Sequence, residues 1–271
     1  MNGLFTLRVG PAMICLSAGS DEIAQFLHQR YSAHIVRTAS DALLEIRFNP
    51  ALDFKNPTAF KIEADDSTLS ARSSAASLEW DFQKRRGMLE TAPVYLYFPI
   101  ENSLRILFSR LELEYEATLV HAAAAVGKGR RKAALFPGRS GAGKSTLSKA
   151  AEDSGATALG DDIVAIFKNE NGWFAAGTPF AGVESPRPPY LSAPLGMIAF
   201  LGGRGKTELK PIGSAEAAAA LAASIPFSDA LSGTSGKTAL RLAADAAKTI
   251  PVFRASYELG GDPSPLWEHA E

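Results

Sequence analysis

The run Ala133-Ala-Leu-Phe-Pro-Gly138-Arg139-Ser140-Gly141-Ala142-Gly143-Lys144-Ser145-Thr146-Leu147 constrains this chain more than any other feature. An apolar strand leads into G-x-x-x-x-G-K-S, and a helix-forming run follows. The glycines let the backbone curl so that successive N–H groups point inward at a phosphate. Lys144 can then reach β/γ oxygens, and Ser145 offers a hydroxyl to Mg²⁺. The helix opening at Lys144 adds its positive dipole end to the same spot. Gly138, Arg139, Ser140, Gly141, Ala142, Gly143, Lys144, Ser145 and Thr146 are therefore the expected nucleotide-binding set. ATP and Mg²⁺ are the expected cofactors.

Two other Gly-Lys-Thr triplets show why context decides. Gly205-Lys206-Thr207 has Phe200 where the first glycine should stand, and Gly236-Lys237-Thr238 has Leu231. Neither can start a phosphate nest. The first reads as a loop and the second as a helix start.

A length of 271 residues suits one large domain or two moderate ones, and 46% hydrophobic with 21% charged residues provides a sizeable core. A formal charge of −1 gives no global attraction to nucleic acid or acidic membranes, so an acidic ligand must be held locally. The single cysteine, Cys15, stands in an apolar run, cannot form an internal disulfide and reads as a small core residue. The apolar stretches near Pro11–Ala18 and Glu216–Ala223 are too short to span a membrane. No targeting segment is readable, and a cytoplasmic protein is the expectation.

Residues 1–112 read as an α+β domain. Strands are expected at Leu4–Val9, Ala12–Leu16, Ala42–Phe48, Ala59–Glu63, Ser67–Arg72 and Ser77–Phe82, and helices at Asp21–Tyr31 and Glu101–Leu113. Val94–Tyr97 reads as a short element before the second helix. No chemical motif occurs there, which leaves recognition or assembly as its role. Residues 113–271 change to strand–loop–helix alternation. Strands are expected at Leu119–Val126, Ala133–Phe136, Thr157–Leu159, Ile163–Phe167, Trp173–Ala176, Leu195–Leu201 and Val252–Tyr257. Helices are expected from the loop to Gly155, at Ala215–Ala223 and at Thr238–Lys248.

Phosphoryl transfer needs a metal-binding carboxylate and, for a hydroxyl acceptor, a group that takes its proton. Gly160-Asp161-Asp162 follows the loop after one helix and one short strand, an interval that can return the chain to the loop's side of the sheet. Adjacent carboxylates repel, and a cation beside them is the remedy. His121, on the strand hairpinned to Ala133–Phe136, can stand beside the same spot. Arg187, in the Pro-rich loop Ser185–Pro189, and Arg254, on the last strand, are candidate clamps over phosphates; Glu258 offers Arg254 an ion-pair partner instead. Trp173 and Phe174 read as core.

His121, Gly138–Ser145 and Asp161-Asp162 together resemble the catalytic domain of bacterial HPr serine kinase/phosphorylase. The same loop followed by Gly-Asp-Asp is similar to the nucleotide site of ATP-dependent phosphoenolpyruvate carboxykinase. Gly177-Thr-Pro-Phe-Ala-Gly182, then Ala193-Pro194-Leu195, is similar to a broad group of HPr-kinase-related proteins that includes kinases encoded beside peptide-maturation genes. The resemblance covers residues 119–257. It implies an α/β fold whose P-loop kinase core is of the HPr-kinase/phosphoenolpyruvate-carboxykinase type, with the smaller N-terminal α+β domain attached. It implies Lys144 on the β/γ phosphates, Ser145 and one aspartate on Mg²⁺, the other aspartate as base, and His121 beside that base. Asp161 is assigned as base and Asp162 as metal ligand, with the exchange left open. Arg139 stands where HPr kinases commonly carry an acidic residue, and their later HPr-contacting signature is absent; both departures weigh against HPr itself as acceptor.

The reading is an ATP- and Mg²⁺-dependent kinase that phosphorylates a serine-type hydroxyl on a protein, peptide or small molecule. The competing reading is a nucleotide-binding switch or interaction module without kinase activity. A decarboxylating carboxykinase fits poorly, because the chain is far shorter than that family. Neither nucleic acid nor membrane is an expected partner. The resembled kinases often form homo-oligomers, although no interface is readable in this chain.

Overall fold

A computed structural model describes residues 3–139, 141–181, 189–258, 261–267 and 269–270, at 203 and 204 the backbone alone. Ser140, Arg187 and most of the Ser185–Pro189 loop lie outside the described residues. The chain is a mixed α/β protein with two many-stranded sheets and five α-helices among the described residues. It divides into two units, Met1–Leu111 with Phe227–Lys237, and Glu112–Pro226 with Thr238–Glu271.

The first unit holds β1 (Gly3–Val9), β2 (Ala12–Ala18), α1 (Asp21–Tyr31), β3 (Ile35–Val36), β4 (Leu43–Phe48), β5 (Lys61–Ala64), β6 (Thr68–Arg72), β7 (Ala76–Asp81), β8 (Arg86–Thr91) and α2 (Tyr97–Leu111). Its sheet runs β3-β1-β2-β4-β8-β7-β6-β5. Period-two alternation sets its inner face: Leu44 and Ile46 of β4, and Leu78 and Trp80 of β7, are buried. Helix α1 begins at the expected residue, because the Ser20 side chain accepts the Ile23 N–H at 3.2 Å. It buries Ile23, Leu27 and Tyr31, one stripe at helical spacing.

Two expectations in this unit shift. Helix α2 spans Tyr97–Leu111 rather than Glu101–Leu113, and Val94–Leu96 forms no strand. Pro99 falls in its first turn, where the missing N–H would have had no intrahelical acceptor. Strand β8 has only Met88 and Leu89 as large apolar residues and gives little periodic signal, yet β4 and β7 flank it on both edges. Cys15 is half-buried, on the opposite face of β2 from Ile14 and Leu16.

The second unit holds β9 (Ala117–Val126), β10 (Ala133–Pro137), α3 (Lys144–Asp153), β11 (Thr157–Gly160), β12 (Ile163–Asn169), β13 (Gly172–Gly177), β14 (Ser192–Arg204), β15 (Glu208–Pro211), α4 (Ser214–Ala222) and β16 (Val252–Tyr257), and α5 (Gly233–Thr249) ends in it. The sheet order is β10-β9-β12-β13-β14-β16-β15, and β10 also pairs with β14, so the first five strands close on themselves. β10 is antiparallel to β9 and parallel to β14 (Leu135↔Ile198), which encloses it on both edges and explains its unbroken apolar sequence. The unpredicted β15 is an edge strand, polar and ending in Pro211, a composition that suits an edge and hides from apolar patterning. Gly205–Thr207 is a loop, and α5 starts at Gly233, ahead of the expected Thr238. Trp173 is buried, while Phe174 is half-buried and stacks on Phe167.

Phe136 is a core residue of β10, two positions before Gly138. It packs edge-on against Trp267 at 5.1 Å between centroids, among Ala134, Leu147, Met197 and Ala199. Phe136→Ala should cost about 3–5 kcal/mol of stability, read as a lowered urea midpoint at unchanged slope.

Candidate functional site

The loop from β10 to α3 is fixed by close approaches and by backbone geometry. A Cβ on Gly138 would stand 3.0 Å from the Ala142 Cβ and 3.3 Å from the Leu201 Cβ, so the first glycine brings the loop tightly against β14. Gly141 and Gly143 take φ of +79° and +97° with open space where a side chain would begin. There the glycine requirement is conformational rather than steric. Gly143 is the residue before the first turn of α3, so the loop ends on a left-handed residue. Ser145 and Thr146 are exposed on that first turn.

Lys144 is 7% exposed. Its ammonium donates to Gly138 O at 2.8 Å and Arg139 O at 3.1 Å, and lies 3.1 Å from His121 Nε2. Burial pulls its pKa below the ordinary lysine value, and the negative fields of Asp162 and Asp161 oppose that pull. The opposite nitrogen of His121, Nδ1, lies 3.1 Å from Asp162 Oδ1. A lysine ammonium has only donors, so its bond to Nε2 needs that nitrogen's lone pair. The ring proton is then on Nδ1, the nitrogen that faces the Asp162 carboxylate. Lys144, His121 and Asp162 form one chain of close polar contacts.

Strand pairing places these groups. β9 shares one edge between two strands, β11 opposite Ala124–Val126 and β12 opposite Ala117–His121. Asp161-Asp162 stands in the break between them, held where the Ala122 N–H donates to Asp162 O at 3.0 Å. Ile163 pairs with His121, so the residue before it arrives beside the imidazole. The buried Thr178 hydroxyl donates to Ile163 O at 2.6 Å and also accepts the Phe180 N–H, which ties the Thr178-Pro-Phe segment to the same corner. From α4's end, Ser224 O accepts the His121 N–H at 2.7 Å.

A cavity of about 730 Å³ opens beside the loop, lined by Gly138, Arg139, Gly141 and Ala142 on one side and by Phe200–Gly202, Ser224 and Arg254 on the other. Its size suits a small-molecule site. Among the expected residues, Lys144, His121 and Asp162 are joined by contact, and Asp161 acts on Lys144 through its charge. Sequence reading missed Thr178 as an anchor, Ser224, and the Leu201–Gly202 wall; Gly202-Gly203 ending an apolar strand is the available sign of close approach. Arg254 pairs with Glu216, not with Glu258.

The loop fits a phosphate chain, because its two left-handed glycines leave the inner surface clear of side chains and a cation with depressed pKa lies at its base. Among the described residues no group of three or more His, Cys, Asp or Glu comes together for a metal. Mg²⁺ commonly uses one or two carboxylates plus phosphate oxygens and water, and Ser145 with an aspartate is a donor set of that kind. No family model matches the chain, and no curated protein matches it significantly.

The tautomer is measurable. ¹⁵N correlation spectra of the nucleotide-free protein should show His121 protonated at Nδ1 with Nε2 as acceptor; Lys144→Met should shift the Nε2 resonance most. An Nε2–H tautomer in the wild type would break the chain of contacts described above.

Proposed function

We propose that this protein is an ATP- and Mg²⁺-dependent kinase that transfers the γ-phosphoryl group to a serine-type hydroxyl of a protein, peptide or small molecule. The observation that carries this reading is the Lys144–His121–Asp162 chain at the base of the loop. A bare phosphate-binding loop needs only its glycines and its lysine. A carboxylate oriented by a histidine beside that lysine is what a hydroxyl acceptor requires. The same residues support the resemblance to the HPr-kinase and carboxykinase core. The first unit, without a motif of its own, is assigned to recognition or assembly.

Bound nucleotide and Mg²⁺ supply the phosphoryl group and neutralise its charge. Lys144 has its donors directed at two loop carbonyls and His121, and these are the donors it turns toward phosphate oxygens. His121 fixes the orientation of one carboxylate through Nδ1–H. That carboxylate is Asp162, so the histidine-coupled base falls on Asp162 and the metal on Asp161, the exchange left open by the sequence. The base takes the acceptor's proton as its oxygen attacks.

Mass spectrometry after incubation with Mg²⁺-ATP and free serine, an HPr-like protein or a peptide pool tests the reading. A gain of one phosphoryl group that Lys144→Ala abolishes is expected. Asp162→Asn should lower transfer by about 10²–10⁴-fold with ATP binding within twofold, whereas Asp161→Asn should weaken Mg²⁺ dependence first. Transfer lost in Asp161→Asn with the Mg²⁺ dependence of ATP binding intact would restore the other assignment. ATP turnover that phosphorylates no acceptor would favour the switch.

A further inference from the structure

The cavity beside the loop contains a guanidinium for which the transfer step described above has no use. Arg254 is on β16, opposite Phe200 of β14. The register of that pair slips between Leu201 and Gly203, so Gly202 is the extra residue of a bulge. Bulges re-aim neighbouring side chains and concentrate beside active sites. Here Gly202 presents no side chain, and a methyl in its place would already lie 3.7 Å from Arg254 Cγ and Nη1. The arginine's stem therefore lies flat across Gly202. Leu201, the next residue, packs against Gly138 at the start of the loop. The guanidinium is thereby brought to the wall of the cavity that Gly138, Arg139, Gly141 and Ala142 line.

Its partner is Glu216, in the first turn of α4. Both side chains of this pair are more than half exposed, at 57% and 52%. Such a pair contributes little to stability and exchanges readily. A phosphate is more highly charged than the glutamate, which meets the guanidinium here through Oε1.

We infer that Arg254 is an anion-binding residue of this cavity, which takes phosphate oxygens of the nucleotide at the loop, and that Glu216 holds the guanidinium in place until phosphate replaces it. The inference deepens the kinase reading and rests on its nucleotide site. It makes the site two-sided, with Lys144 buried at the base and Arg254 at the rim.

The test is equilibrium binding of Mg²⁺-ATP and of pyrophosphate, at fixed ionic strength, to wild type, Arg254→Ala, Arg254→Lys and Glu216→Ala, with thermal unfolding of each. Arg254→Ala should weaken both ligands about tenfold or more, and Arg254→Lys should recover part of the loss. Glu216→Ala should bind as tightly as wild type or somewhat tighter, because the competing carboxylate is gone. A purely structural ion pair predicts otherwise: the two alanine variants would lose the same unfolding temperature and leave binding alike, and that result overturns the inference. Arg254→Ala binding at wild-type affinity overturns it while the kinase reading stands. Wild type that binds neither ligand overturns both.

Discussion

A buried ammonium organises the second unit's site. Moving a cation out of water carries a large penalty unless donors and countercharges replace the solvent. Lys144 meets that requirement with two loop carbonyls, one imidazole nitrogen and the field of two aspartates. Each of these depends on a different part of the sheet. The carbonyls need the loop curled by Gly141 and Gly143, the imidazole needs β9 beside β10, and the aspartates need β11 and β12 to divide one edge of β9. Loss of the closed pairing of β10 between β9 and β14 would leave the cation buried without its partners. The fold and the electrostatics of the site are in this sense one constraint.

Much of this was legible because local signals agree with the final packing. The loop is a short-range pattern whose residues fix their own backbone. Ser20 announces α1, and β16 appears at the expected Val252–Tyr257. Elements defined by their neighbours were hidden. β8 and β15 carry few large apolar residues and exist because adjacent strands supply their hydrogen bonds. The division of the chain shows the same limit. Residues 227–237 belong with the first unit, and no change of composition marks their departure from the second.

The site was legible by residue type and less so by pairing. Sequence spacing could bring His121 near the aspartates but could not choose between two adjacent carboxylates, since neighbours on an extended chain point to opposite faces. The pairing of Ile163 with His121 brings Asp162 beside the imidazole. Arg254 was similar. Glu258 is close in sequence, but Glu216 reaches it from α4, which packs against β16, a contact created only by tertiary structure.

The distribution of charge bears on how such a site would select its ligand. A formal charge of −1 over 271 residues creates no long-range field to attract a polyanion. Arg139 and Arg254 instead line one cavity beside the loop whose base holds Lys144, with the charges of Asp161 and Asp162 acting on the lysine and Glu216 paired with the rim arginine. Beyond roughly 10 Å at ordinary salt these opposing charges are screened and nearly cancel. At the shorter distances within the site, screening is weak and the charges act individually. For the proposed nucleotide, discrimination would then depend on how a phosphate chain seats in the loop rather than on its attraction from a distance, and a ligand with equal charge but no group small enough for the glycine-lined curl would gain little. On that proposal the glycines, which carry no charge, decide which anion benefits from the cations around them.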